Sequence, residues 1–178
     1  IKGDDRWGNP SNRLIGKIKL KTNLPVTGLA EIVDLKAGDF GVVIEGLSVE
    51  SPGVLHLTVL DENDQLIATA NPLVIRQADA AHFWSDMHAQ SGETIGVGTA
   101  REYFDFARNK AFLDIAGHQG NDFQITDAFW QHLNELTAEY NEDNRFMTLP
   151  GYEWSGNTGL GGDHNVWFRE EGRPIYRS

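Results

Sequence analysis

The sequence contains no cysteine. Disulfides and thiolate metal sites are thereby excluded, and any metal must be held by imidazole and carboxylate. No apolar run approaches the ~20 residues of a membrane span. No secretory leader is visible either, but the chain begins at Ile1 rather than Met. That is the pattern of a mature form or a fragment, and it leaves the compartment open. Positive charge is scarce: 15 Lys and Arg stand against 26 Asp and Glu, a formal net charge of −11. A nucleic-acid surface needs clustered Lys and Arg, so this function class is excluded. A small anionic substrate is not, because a bound cation reverses the local field.

What is present describes a folded protein. Forty per cent hydrophobic and 10% aromatic residues suffice for a core, and 178 residues for one large domain or two small ones. The first part reads as strands and turns. Ile15, Ile18 and Leu20 lie in a basic stretch with partial alternation, and Val42, Val43 and Ile44 follow an Ala37-Gly38-Asp39 turn. Leu55, Leu57 and Val59 alternate strictly, and the polar Asp61 to Asp64 turn leads back through Leu66 to Ala70, a hairpin pattern. Asn71-Pro72 makes the Leu73 to Ile75 strand an edge. With no helical pattern there, residues 1–79 are expected to form a β-sandwich.

The character changes near Gln77 to Ala81, and residues 80–178 read as a second domain. Thr99 and Glu102 form a capping box ahead of Tyr103, Phe106, Ala107 and Lys110. Leu113, Ile115 and Ala116 suit a short buried strand. Thr126 or Asp127 can cap a helix with Phe129, Leu133, Leu136 and Tyr140 on one face. Phe146 to Leu149 and Val166 to Phe168 read as further strands. Strand, helix, strand, helix, strand is the signature of a parallel α/β arrangement.

The polar residues of this second domain fall beside the strand ends, where parallel α/β sheets build their sites. Asp86 and His88 follow Phe83-Trp84, and alternation places their side chains on one side of an extended segment, with Gln90 continuing the row. His118 and Asp122 flank Gln119-Gly120-Asn121 after the Leu113 to Ala116 strand. Glu153 lies between Tyr152 and Trp154, where a carboxylate is desolvated unless paired or bound to metal. His164 precedes the Val166 strand. Imidazole with carboxylate suits Zn, Mn or Fe. His56, His82 and His132 read as structural. The glycine-rich Gly151 to Gly162 stretch lacks the ending of a phosphate loop and reads as a flexible loop over the site.

Taken together, Phe83-Trp84-Ser85-Asp86-Met87-His88-Ala89-Gln90-Ser91-Gly92, Leu113-Asp114-Ile115-Ala116, Leu149-Pro150-Gly151-Tyr152-Glu153-Trp154 and Asp163-His164-Asn165-Val166-Trp167-Phe168 resemble the DUF3604 family. That family is related to the PHP (polymerase and histidinol phosphatase) metallohydrolases, and the resemblance covers about residues 71 to 178. It implies a distorted seven-stranded α/β barrel that hydrolyses phosphate esters with two or three metal ions. By position, His88 matches the first histidine of an H-x-H motif, with Gln90 where the second would stand. Glu153 matches a metal-bridging glutamate and His164 the next histidine ligand. Where the relatives have Thr-Asp-His, this chain has Gln119-Gly120-Asn121.

The expectation is therefore an α/β protein: a β-sandwich, then the first strands of a PHP-like distorted (β/α)7 barrel. Its function is expected to be metal-dependent hydrolysis of a small phosphate or related ester through metal-activated water. His88, Glu153, His164, Asp86, His118 and Asp122 are the expected metal ligands for one to three divalent ions. Asp86 and His118 are also expected to orient catalytic water. About four barrel strands are visible, so the remainder is expected from a missing C-terminal segment or another chain. The alternative is a non-catalytic binding module with a degenerate metal site.

Overall fold

A computed structural model describes residues 1–178, the side chain of Leu160 excepted. The chain forms two compact units, Ile1–Ala81 and His82–Ser178. It is mixed α/β, mostly sheet with few helices. Among the described residues no helix is long and apolar enough to cross a membrane.

The first unit is antiparallel. Strands β1 (Gly16–Thr22), β2 (Ile32–Leu35), β3 (Gly53–Leu55), β4 (Leu57–Leu60), β5 (Leu66–Thr69) and β6 (Leu73–Ile75) form a four-stranded sheet, β2-β1-β4-β5, and a separate β3-β6 pair. In β1 the period-two pattern sends Ile18 and Leu20 inward, where Val33, Leu35 and Val59 complete the core. Lys19 and Lys21 reach Asp64 at 3.0 and 3.6 Å. The β4–β5 hairpin forms around a turn in which Asp61 Oδ1 accepts the Asn63 and Gln65 N–H groups, both at 2.8 Å. Two expectations need correction. Leu55 to Val59 is not one strand: the chain changes sheets at His56, whose N–H donates to Asn23 Oδ1 at 2.6 Å. Val42 to Ile44 form no strand, although Val42 and Ile44 still pack on the core as irregular chain.

The second unit holds a parallel sheet of β7 (Ser85–Ala89), β8 (Ile115–His118) and β9 (Met147–Thr148), in the order β7-β8-β9. Helix α1 (Ala100–Asn109) connects the first two strands and α2 (Asp127–Tyr140) the next two. The helices pack on each other through Phe104 stacked on Tyr140 at 5.5 Å. The stripe α1 buries is Ala100, Phe104 and Ala107, whereas Phe106 is 45% exposed. The helix starting at Ala100 sets that phase. After β9 the chain runs on as β10 (Gly151–Ser155), which pairs antiparallel with β11 (Asp163–Trp167). Residues 151–155 are thus a buried strand, not part of a flexible loop. Tyr152 points into the core beside Trp130 and Phe168. The described residues form no closed barrel, and β7 and β9 are the edges of an open sheet.

The α1 capping box is present in full. Thr99 Oγ1 accepts the Glu102 N–H at 3.1 Å, and Glu102 Oε2 accepts the Thr99 N–H at 2.7 Å. Replacing Thr99 by Ala unpairs one end donor and is expected to cost ~1 kcal/mol. A urea denaturation midpoint unchanged from the unmodified chain would contradict this.

Candidate functional site

The C-terminal edge of the parallel sheet brings four short segments together. The end of β7 carries His88 and leads to Gln90. The turn after β8 carries Gln119 and Asn121. The backbone of this turn pairs with β10: the Glu153 N–H donates to the Gly120 carbonyl at 2.9 Å, and the Asp122 N–H to the Glu153 carbonyl at 2.8 Å. That ladder fixes Glu153 next to Asn121. Strand β11 brings Asn165 opposite Glu153.

Glu153 is the centre of the cluster and is only 8% exposed. Its Oε2 accepts from Asn121 Nδ2 at 2.5 Å and from Gln90 Nε2 at 3.1 Å. Its Oε1 lies 3.5 Å from His88 Nε2. Thr94 donates its hydroxyl to Gln90 Oε1 at 2.9 Å, which turns the amide nitrogen of Gln90 toward the carboxylate. Asn121 also donates to Ser155 Oγ at 2.9 Å, while its own Oδ1 is buried and has no hydrogen-bond partner. On the far side of His88, Nδ1 is 2.8 Å from Asn165 Nδ2.

Of the six residues expected to hold metal, the structure brings His88 and Glu153 together. His164 is directed away. The β10–β11 register sets His164 opposite Trp154, so those two share a face, their rings 5.8 Å apart, and Asn165 takes the Glu153 face. Asp86 is separated from the row by an irregularity in β7, where three steps from Asp86 to Ala89 match two from Ala116 to His118. The extra residue breaks the assumed alternation. Asp86 Oδ1 accepts the His88 N–H at 3.2 Å.

His118 ends β8 pointing into the core and is 1% exposed, with Tyr103 and Phe129 edge-on to its ring. Gly120 N–H donates to its Nδ1 at 3.2 Å, so the ring proton sits on Nε2 and is donated to Ser91 Oγ at 2.8 Å. Ser91 in turn bonds the Glu93 carboxylate. Both ring nitrogens are engaged, and burial pushes the pKa down to about 4 against a smaller opposing pull from Glu93. Asp122 is also spoken for. Its Oδ1 accepts the Ser155 N–H at 2.9 Å and its Oδ2 the Ser178 N–H at 2.5 Å. Burial raises its pKa, but these backbone donors prevail and hold the carboxyl below its ordinary range. His118 and Asp122 are supports of the site, not part of its surface.

The matched protein family is described as a protein of unknown function, DUF3604, and its model covers residues 56–177. The chain belongs to the DUF3604 family. An uncharacterized protein of Chlamydia pneumoniae is 23% identical over 134 residues, 73% of this chain and 22% of that protein. An uncharacterized protein of Chlamydia trachomatis is 20% identical over 116 residues, 64% of this chain and 19% of that protein. The chain therefore spans about a fifth of the length of the curated relatives it matches. No solved structure matches it.

The donor chemistry of this DUF3604 site does not fit the multi-metal centre that the resemblance implies. Among the described residues, no three His, Asp or Glu side chains gather as a ligand group. The positions around Glu153 are carboxamides, and two of them turn N–H groups toward the carboxylate. Glu153 Oε2 is thereby occupied by two amide donors. The contributions of Gln119, Asn165, Thr94 and Ser155 were not foreseen from sequence. Period-two alternation of Tyr152, Glu153 and Trp154 was the available signal that β10 is a strand with Glu153 on the face opposite Tyr152.

Proposed function

We propose that this chain carries the opening part of a hydrolase site for a small polar ester, built on a PHP-like arrangement of strand ends. In this reading Glu153 takes a proton from the water as its oxygen adds to the ester centre, and His88 donates a hydrogen bond to the oxygen that gains negative charge. As the bond to the leaving alcohol breaks, Glu153 returns the proton to the alcohol oxygen. The carrying observation is a nearly buried carboxylate whose sole ion-pair partner among the described residues is His88, 3.5 Å away. That separation is longer than a strong hydrogen bond, so neither group is committed to the other. Beside Glu153 the buried Asn121 Oδ1 is an unmet acceptor, a polar strain of the kind found at working sites. Further strands and binding groups come from sequence outside this chain or from another chain.

A positioned general base contributes about 10²–10⁴-fold to rate. Glu153→Gln is therefore expected to lower ester turnover by that factor, while His56→Ala and His132→Ala leave it unchanged. The measurement is turnover of a panel of carboxylic and phosphate esters, with and without added Mn or Zn, alongside elemental analysis. Stoichiometric metal in the active protein would overturn the metal-free version. A divalent cation there would lower the pKa of its bound water to about 7 and restore the metal-dependent reading.

A second reading is favoured by the four carboxamides, Gln90, Gln119, Asn121 and Asn165, joined around one carboxylate and one imidazole. Such a set suits recognition of a polar ligand without chemistry. Saturable binding of an ester that is still not turned over when the remaining strands are supplied would favour this reading over the hydrolase.

A further inference from the structure

The orientation of one buried carboxamide dictates where His88 carries its proton. Gln119 is fully buried, and its Nε2 lies 3.1 Å from the His118 carbonyl and 3.3 Å from the Val166 carbonyl. Both carbonyls only accept, so the NH₂ end of Gln119 must face them. Its Oε1 is then left toward Asn165, whose Nδ2 is 2.8 Å away. The same Asn165 nitrogen is 2.8 Å from His88 Nδ1. An amide nitrogen has two hydrogens, one for each partner. Turning Asn165 over would set its oxygen against that of Gln119.

His88 Nδ1 is therefore an acceptor, and the single proton of the neutral ring lies on Nε2, toward Glu153. The relay is built in. A Cβ at Gly151 would occupy the place of the Gln119 amide nitrogen, so the glycine is what lets that carboxamide reach both carbonyls.

We infer that Gln119 and Asn165 hold His88 as a hydrogen-bond donor through Nε2, aimed at a negatively charged ligand oxygen, and that His88 is not a metal ligand in this chain. A ligand imidazole usually donates from its other nitrogen to a carboxylate, carbonyl or water. Here that nitrogen receives a hydrogen instead. Neutral imidazole serves other enzymes as an electrophile in this manner. Gln119 and Asn165 are positioning residues that act through His88. The proton placement rests on geometry alone, while its use in ester hydrolysis rests on the reading proposed above.

The test is nitrogen–proton NMR of the isotopically labelled 178-residue chain, in which a protonated ring nitrogen is distinguished from a bare one. The unmodified chain is expected to show His88 protonated at Nε2 and bare at Nδ1, with no selective broadening of its ring signals by Mn²⁺. Asn165→Asp offers only acceptors to His88. It is expected to move the proton to Nδ1, turn a lone pair toward Glu153 and create Mn²⁺ broadening at His88. A His88 protonated at Nδ1 in the unmodified chain, or broadened by Mn²⁺ there, overturns the inference even if the variant does not fold. The proton placement is read from the spectrum of this chain and the hydrolase reading from turnover once the remaining strands are supplied, so the two fail separately.

Discussion

Acidification from pH 7 to pH 4 is expected to remove about 3 kcal/mol of stability through His118 alone. The ring is buried and its pKa lowered from 6.5 to about 4 by desolvation. In the unfolded chain the same ring takes up a proton near 6.5. Above that pH the ring is neutral in both states and costs nothing. Below it the unfolded state binds the proton first, so stability falls with pH until the folded ring also protonates near 4. The gap corresponds to about 3 kcal/mol, a large share of the 5–15 typical of a domain. Glu93 and Asp122, held below the ordinary carboxylate range, lose their contributions only at lower pH. The window between about 6.5 and 4.5 therefore separates the histidine from them. Urea denaturation across it, compared with His118→Asn, decides the point. Equal slopes of stability against pH in the two proteins would mean that His118 is not the buried neutral ring described.

The same ring shows why the sequence points to His118 as a ligand while the structure buries it among Tyr103, Phe129 and Ser91. A histidine at a strand end beside glycines has the sequence signature of a site residue. Whether it faces the site or the core depends on which nitrogen meets which backbone group, and only the Gly120 N–H and Ser91 settle that. Local signals were legible. The α1 cap rests on residues three apart, and the β4–β5 hairpin on one aspartate and the two amides it caps. Long-range register was not. A one-residue choice in the β10–β11 pairing decides whether His164 or Asn165 meets Glu153, and nothing within either strand fixes it. The extra residue in β7 is likewise a property of pairing with β8. Glycines at 151 and from 156 onward hid a strand whose short alternating core, Tyr152 to Trp154, contains the residue around which the site is arranged.

Asp122 shows how a structural carboxylate differs from Glu153, whose proposed role is catalytic. It is fully buried, and its two oxygens receive the N–H groups of Ser155 and Ser178 and, at 3.3 Å, the Ser178 hydroxyl. Its carbonyl accepts from Arg177, which also reaches the Ile125 carbonyl at 2.6 Å. These contacts clip the last residues of the chain onto the turn that carries Asn121. Asp122→Ala leaves the partly buried Ser155 donor without an acceptor, at about 1–3 kcal/mol, while the exposed Ser178 recovers water. The expected loss of stability is thus about 1–3 kcal/mol, with Asn121 released from its place beside Glu153. Glu153→Gln can keep an oxygen on Asn121 and Gln90 but then turns its NH₂ toward His88, which leaves a donor unmatched at about 1–3 kcal/mol. The two variants should therefore be separated by turnover: Asp122→Ala loses it only as far as Asn121 is displaced, whereas Glu153→Gln loses the general-base factor of about 10²–10⁴. If Asp122→Ala left the midpoint unchanged and abolished binding of added Mn or Zn instead, Asp122 would be a ligand after all, and the clasp only a consequence of where the chain happens to run.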